Sequence, residues 1–205
     1  NIDGISSPDV KKILFTAEWM ILKLYPKDNE SVDVGPVLVQ YGKALERLLH
    51  QVITKPICDK IHARHGEPIP DALWYEKWNE KEKKGEIATL PRVIRSPLGL
   101  SKRTIPLGEW KGLKGDLRQR LENKKRKKDP ISEFYLSELD HIPDPELEII
   151  GNASSVISEL RNGAAHYDIK TREEVLQIRH EVVEKLNLLI PLVARIQISK
   201  PHYTG

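Results

Sequence analysis

Apolar residues recur along this chain at intervals of three and four, the spacing of helices that bury one face. In the first such stretch Ile13, Leu14, Ala17, Met20, Ile21 and Leu24 form the buried stripe. Pro8, just inside Ser6-Ser7, suits a first helical turn, and Pro26 ends the helix. From Asp33 to about Arg64 a longer helix carries Val37, Leu38, Tyr41, Leu45, Leu48, Leu49, Val52 and Ile53 along one side. Pro56 should kink or split it, because proline lacks the amide donor. Towards the C-terminus Leu147, Ile150, Ala153, Ile157 and Leu160 mark a helix that begins near Asp144, between Pro143 and Pro145. From Thr171 onward Val175, Ile178, Val182, Leu186, Leu189, Ile190 and Val193 mark another, with Thr171 and Glu174 spaced as a capping box.

Between these segments the pattern weakens. Gly66 to Pro70 reads as a turn. Asp71 to Lys84 reads as helical, with Trp74 and Trp78 four apart as a side-chain pair. Ile87 to Ser101 holds Pro91, Pro97 and Gly99 and reads as loop. Leu107 to Asn123 predicts a helix carrying Trp110, Leu113, Leu117 and Leu121, weakened by Gly112 and Gly115. Ile131 to Leu139 predicts a short one. No stretch alternates with the period of a strand, so the expectation is an all-α domain.

At 205 residues the chain is expected to form a single domain, 1–205. A charged fraction of 31% against 39% apolar suits helices with wet outer faces. The net charge of +3 permits contact with nucleic acid, and the basicity is local. Lys124, Lys125, Arg126, Lys127 and Lys128 run consecutively and could track an RNA backbone or form a solvated loop. Cys58 stands alone, so no intramolecular disulfide can form, and a reducing, cytoplasmic setting is expected. No apolar run approaches the roughly 20 residues of a membrane span. The chain opens on Asn1 and its one methionine is Met20, which reads as a piece of a longer protein or a processed product; a regulatory or sensor domain could lie outside it.

Several enzyme classes find no support: there is no phosphate-binding glycine loop, no nucleophile elbow and no paired metal-binding helix motif. Cys58, His62 and His65 have the spacing of one helical face, yet a fourth zinc ligand is missing. No metal or cofactor is expected. What remains is Arg161, Asn162, Gly163, Ala164, Ala165 and His166. The segment joins a cation that never deprotonates to the side chain that titrates near neutrality. Phosphodiester cleavage without a metal would use two such groups. On an unbroken helix residues five apart point about 140° from each other. Gly163 could loosen or end the helix and let Arg161 and His166 converge on one phosphate.

Leu160 to His166, lying between two amphipathic helices, resembles the signature of HEPN domains: arginine, four to six residues, then histidine, often with a polar residue directly after the arginine. Tyr41 to Leu49 resembles the long second helix of the same fold. The resemblance covers roughly residues 8 to 198, and 62–130 reads as a family-specific insertion rich in Trp and Pro. It implies a HEPN-like antiparallel helical bundle and a metal-independent endoribonuclease. The RNA 2′-hydroxyl would attack the adjacent phosphorus, with His166 as general acid or base and Arg161 on the phosphoryl oxygens. Asn162 would orient the phosphate or the imidazole. Glu46 and Tyr167 are supporting candidates, the first as an acidic site residue and the second to stack on a base. One copy offers one such histidine, so a homodimer with a composite site is the natural partner arrangement. The resemblance further implies an effector in a toxin or antiviral defence system. The alternative is a non-catalytic HEPN-like module for dimerisation or RNA binding. An unrelated helical scaffold with a coincidental hexapeptide is the third reading.

Overall fold

A computed structural model describes residues 5, 7–24, 32–70, 73, 75–79, 84–87, 94, 97–98, 107–122, 130–164, 169–170 and 172–198. Helices dominate because apolar stripes at helical spacing need one another to leave water. Helix α1 spans Pro8–Leu24, and the Val10 amide donates to Ser7 Oγ at its start. Its buried face is Val10, Leu14, Ala17 and Ile21, with Ile13 and Met20 partly buried beside them. Helix α2 runs Gly35–Leu49, with Pro36 in its first turn and the Gly35 amide on Asp33 Oδ1. It buries Val37, Leu38, Tyr41, Leu45, Leu48 and Leu49, as the periodicity predicts.

The expected break at Pro56 is real, and it takes the form of a π turn. Residues His50–Thr54 wind more widely than an α-helix, and the Lys55 amide bonds back to the His50 carbonyl five residues away. Pro56 has no donor for the ladder, and its ring would press on the carbonyl one turn before it; widening the turn relieves both. Helix α3, Lys55–His65, then continues to Gly66.

In the middle, the described residues within Asp71 to Lys84 do not form the expected helix. Strand β2, Tyr75–Asn79, pairs antiparallel with β3, Lys84–Ile87. A spacing of four between tryptophans fits a helix, but pairing with a later segment decides here, and single-chain periodicity cannot see that. Leu107–Trp110 is a 3-10 turn, and helix α4, Leu113–Glu122, starts only after Gly112 at φ +78°. The 3-10 turn packs on helix α6, Asp144–Ala164. Gly151 permits this, since a Cβ there would meet Lys111 Cα at 2.8 Å. Helix α5, Pro130–Leu139, lies as predicted and packs on α3.

Helix α7, Arg172–Ile198, completes the bundle and keeps Pro191 within it. The α2 helix packs against α1, α6 and α7, so the elements carrying the candidate residues meet around it. A two-residue strand β1, Val32–Asp33, pairs antiparallel with β4, Ile169–Lys170. This ties the start of α2 to the chain that leaves α6. The body is all-α, with the two short strand pairs as additions. No helix among the described residues is long and apolar enough to cross a membrane.

Candidate functional site: an arginine clamped between two helices

The hexapeptide does not sit wholly at a helix junction. Helix α6 continues through Gly163 to Ala164, so Arg161, Asn162 and Gly163 are helical. A single glycine costs about 1 kcal/mol against alanine, too little to break a helix of this length that is packed along one face. The loosening expected at Gly163 is therefore absent.

Arg161, in the last turn of α6, reaches across to α2. Its Nη1 donates to Glu46 Oε1 at 2.7 Å. The two side chains are only 25% and 18% exposed. Gly42 makes room: a Cβ there would lie 3.1 Å from Arg161 Cδ and 3.4 Å from Nη1. Gly42 and Glu46 are one turn apart on α2, so the arginine stem crosses bare backbone and its head meets the carboxylate. Desolvation offsets much of the attraction in such a pair, but removing one partner would strand the other in a poorly hydrated place. A guanidinium carries five N–H donors in a plane. With one on Glu46 and the stem seated on Gly42, the plane is fixed, which suits bidentate contact with a phosphoryl group. Asn162, the next residue, is exposed.

Glu46 also lines a second feature, a groove of 530 Å³ between α1 and α2. Lys12 and Ile13 wall it from α1, Lys43 and Arg47 from α2. Asp9 and Arg47 form an ion pair of 3.3 Å within it. His50, first residue of the π turn, lines it one turn beyond Glu46. Its Nδ1 is buried and has no hydrogen-bond partner. Burial pulls the imidazole below its ordinary pKa; the cations Arg47 and Lys55 add to this and Asp59 acts against it. The groove was not anticipated from sequence. The available signal was the four-residue spacing of Glu46 and His50.

On another side of α2, the Tyr41 hydroxyl donates to Glu18 Oε1. Arg179 donates to Glu18 Oε2 through Nε at 2.9 Å and Nη2 at 2.7 Å. This triad links α1, α2 and α7, and burial followed by the Glu18 contact drives the Tyr41 phenol far above its ordinary pKa. It fixes α2, and with it Gly42 and Glu46, against both neighbours.

Among the sequence candidates, the structure brings Arg161 and Glu46 together. His166, Tyr167 and the basic run Lys124, Lys125, Arg126, Lys127 and Lys128 lie outside the described residues. Cys58 is buried and unbridged, and its thiol is pushed up to about 12 by burial first and Asp59 second. Among the described residues, no group of three or more His, Cys, Asp or Glu side chains is placed to hold a metal ion. No protein-family model matches the chain, nor does a curated protein or a solved structure.

Proposed function

We propose that the protein is a metal-independent endoribonuclease of HEPN type. The carrying observation is the clamp on Arg161: a guanidinium seated on Gly42 and oriented by Glu46 at 2.7 Å, at the end of the helix that leads to His166. In this reading Arg161 stabilises the charge that builds on the phosphoryl oxygens. His166 accepts the proton of the 2′-hydroxyl as its oxygen attacks phosphorus. The P–O5′ bond breaks, and the leaving oxygen takes a proton from a second acid, His166 of another copy. The products are a 2′,3′-cyclic phosphate and a 5′-hydroxyl. Asn162 positions the phosphate, and the role of effector in defence or toxicity goes with the family resemblance.

A second copy of the chain is the proposed cover for one face of α1. Phe15, Trp19 and Leu22 are 59%, 57% and 77% exposed, at the four-and-three spacing of a helix-pairing seam. Each aromatic leaves on the order of 100 Å² bare. That stripe continues from Lys12, which lines the groove beside Glu46. The area is modest against the roughly 800 Å² per partner of a standard interface, so association should be reversible. Sedimentation across a concentration series should show a monomer–dimer equilibrium that Trp19→Glu shifts fully to monomer. A wild type that stays monomeric at high concentration refutes this cover.

The test of function is incubation with total RNA in excess chelator. Cleavage that survives the chelator and is lost in His166→Ala and Arg161→Ala supports the enzyme. A single observation favours the alternative of a non-catalytic HEPN-like module: the Glu46 contact is also what a purely structural link between α2 and α6 would show. RNA bound but uncut by the dimer would establish that module.

A further inference from the structure

The groove between α1 and α2 is not the place where Arg161 meets Glu46, yet its chemistry is directed at the same kind of ligand. Its walls carry Lys12, Lys43 and Arg47 against the carboxylates of Asp9 and Glu46. Glu46 is engaged by Arg161, and Asp9 faces Arg47 across an exposed pair. Exposed pairs of that kind are weak and yield readily to another anion. Among the described residues Lys12 and Lys43 have no ion-pair partner, so the groove presents unneutralised cations. At 530 Å³ it is an open groove within the size range of small-ligand sites.

His50 gives the groove direction. Its Nδ1 is sealed off without a partner, so a proton there would be a buried donor left unmade. The favoured neutral tautomer keeps the proton on Nε2, the nitrogen left for a ligand in the groove. His50 closes α2, its amide on the Glu46 carbonyl, and opens the π turn; such widened turns recur at functional positions.

We infer that this groove is a phosphodiester-binding site of the protein, with Lys12, Lys43 and Arg47 supplying charge and neutral His50 supplying one directed hydrogen bond. That its occupant is RNA rests on the ribonuclease reading; that it binds phosphodiesters does not. His50 sits low on the pH scale through burial and through Arg47 and Lys55, with Asp59 opposing. Lys43, Glu46, Asp9 and Lys12 share the groove with it. Binding through the neutral ring should persist at pH 8, where a site that needs an imidazolium would have failed.

The experiment uses a fluorescein-labelled single-stranded RNA with 2′-methoxy groups, which cannot be cut, and follows anisotropy across a salt series at pH 6, 7 and 8. Binding that holds from pH 7 to pH 8 is the expected result. In Lys43→Gln/Arg47→Gln the affinity should fall at least tenfold, and the salt slope should flatten by about 1.4 for two lost contacts to a single strand. His50→Gln should lose about tenfold without a change of slope, as for a hydrogen bond to a charged group. Circular dichroism confirms the fold, and the exposed Lys12→Gln gives a second variant that cannot plausibly unfold the chain. Unchanged binding in all of these, or loss of wild-type binding by pH 8, overturns the site. Inorganic phosphate that shifts the His50 ring signals in NMR while the RNA does not would overturn the phosphodiester assignment in favour of a free anion. Intact methoxy-RNA binding with no cleavage of ordinary RNA leaves the site standing and removes only the ribonuclease reading.

Discussion

Replacing Gly42 by alanine should separate the stability of this protein from the RNA cleavage proposed for it. In the interior of α2, alanine is favoured over glycine by about 1 kcal/mol. Against that, the new Cβ would lie 3.1 Å from Arg161 Cδ, so the arginine stem must yield by a few tenths of an ångström. An arginine stem can do this by torsional adjustment at about 0.5–1.5 kcal/mol. The two effects nearly cancel, and 1 kcal/mol moves the melting temperature of a chain this size by about 2–4 °C. The melting temperature of Gly42→Ala should therefore stay within about 4 °C of wild type. The guanidinium head, however, is displaced from the plane that Glu46 sets. A 1 Å misplacement costs about a hundredfold in rate, so a few tenths scale to a loss of about three- to tenfold. The assay is single-turnover cleavage of a labelled RNA in chelator, beside a thermal melt. Full activity in Gly42→Ala would refute the argument that the seat on α2 orients Arg161. A fall of more than about 10 °C would refute the argument that the stem can yield.

Other outcomes follow from neighbouring features. Glu46→Ala leaves the largely covered Arg161 without its acceptor and should cost about 1–3 kcal/mol in urea unfolding. Asp59→Ala removes an exposed pair with Lys55, 57% and 59% uncovered, and should change the same measurement by less than about 0.5 kcal/mol. Alkaline pH should destabilise the fold, because the buried Cys58 thiol is held up to about 12 from 9.0, and Tyr41 and Tyr135 are raised as well, burial being the first cause in each. The folded chain keeps protons that the unfolded chain releases. Stability is thus complete below pH 9 and falls from there towards pH 12, the thiol contributing up to about 1.4 kcal/mol per pH unit. Urea melts at pH 8, 9.5 and 11 test this, and Cys58→Ala should remove part of the slope; an unchanged slope would contradict it.

The helices were legible because each carries its own apolar stripe, and Leu14, Ala17 and Ile21 or Val37, Tyr41 and Leu45 can be read without knowing what covers them. The same logic missed the other side of α1. Once the inner stripe accounted for the helix, Phe15, Trp19 and Leu22 carried no further signal. The β2–β3 pair was illegible for a different reason: its hydrogen bonds are to another segment, and Tyr75 to Asn79 alone fits either period. The site divides in the same way. Arg161 and Glu46 were each named from sequence, but they lie 115 residues apart, and a stripe reports the face of a residue and not its partner. Gly163 reads as a break because local propensity carries nothing of the packing of the 21-residue helix around it. The groove with His50 needs two helices to meet, and the spacing of Glu46 and His50 on α2 says nothing of the Asp9, Lys12 and Ile13 wall that α1 supplies.

That widened turn also sets the phase between the two halves of the long rod from Gly35 to His65. It holds one residue more than an α-helical turn, so every side chain after Thr54 is rotated from where an uninterrupted α-helix would aim it. Winding the same residues as a regular α-helix would swing α3 by about 100° against α2. Ile57, Cys58 and Ile61 would leave the interior and charged neighbours would turn inward. The widened turn is therefore an indexing element: by taking up the spare residue it lets one continuous rod point His50 at the groove and Cys58 at the core.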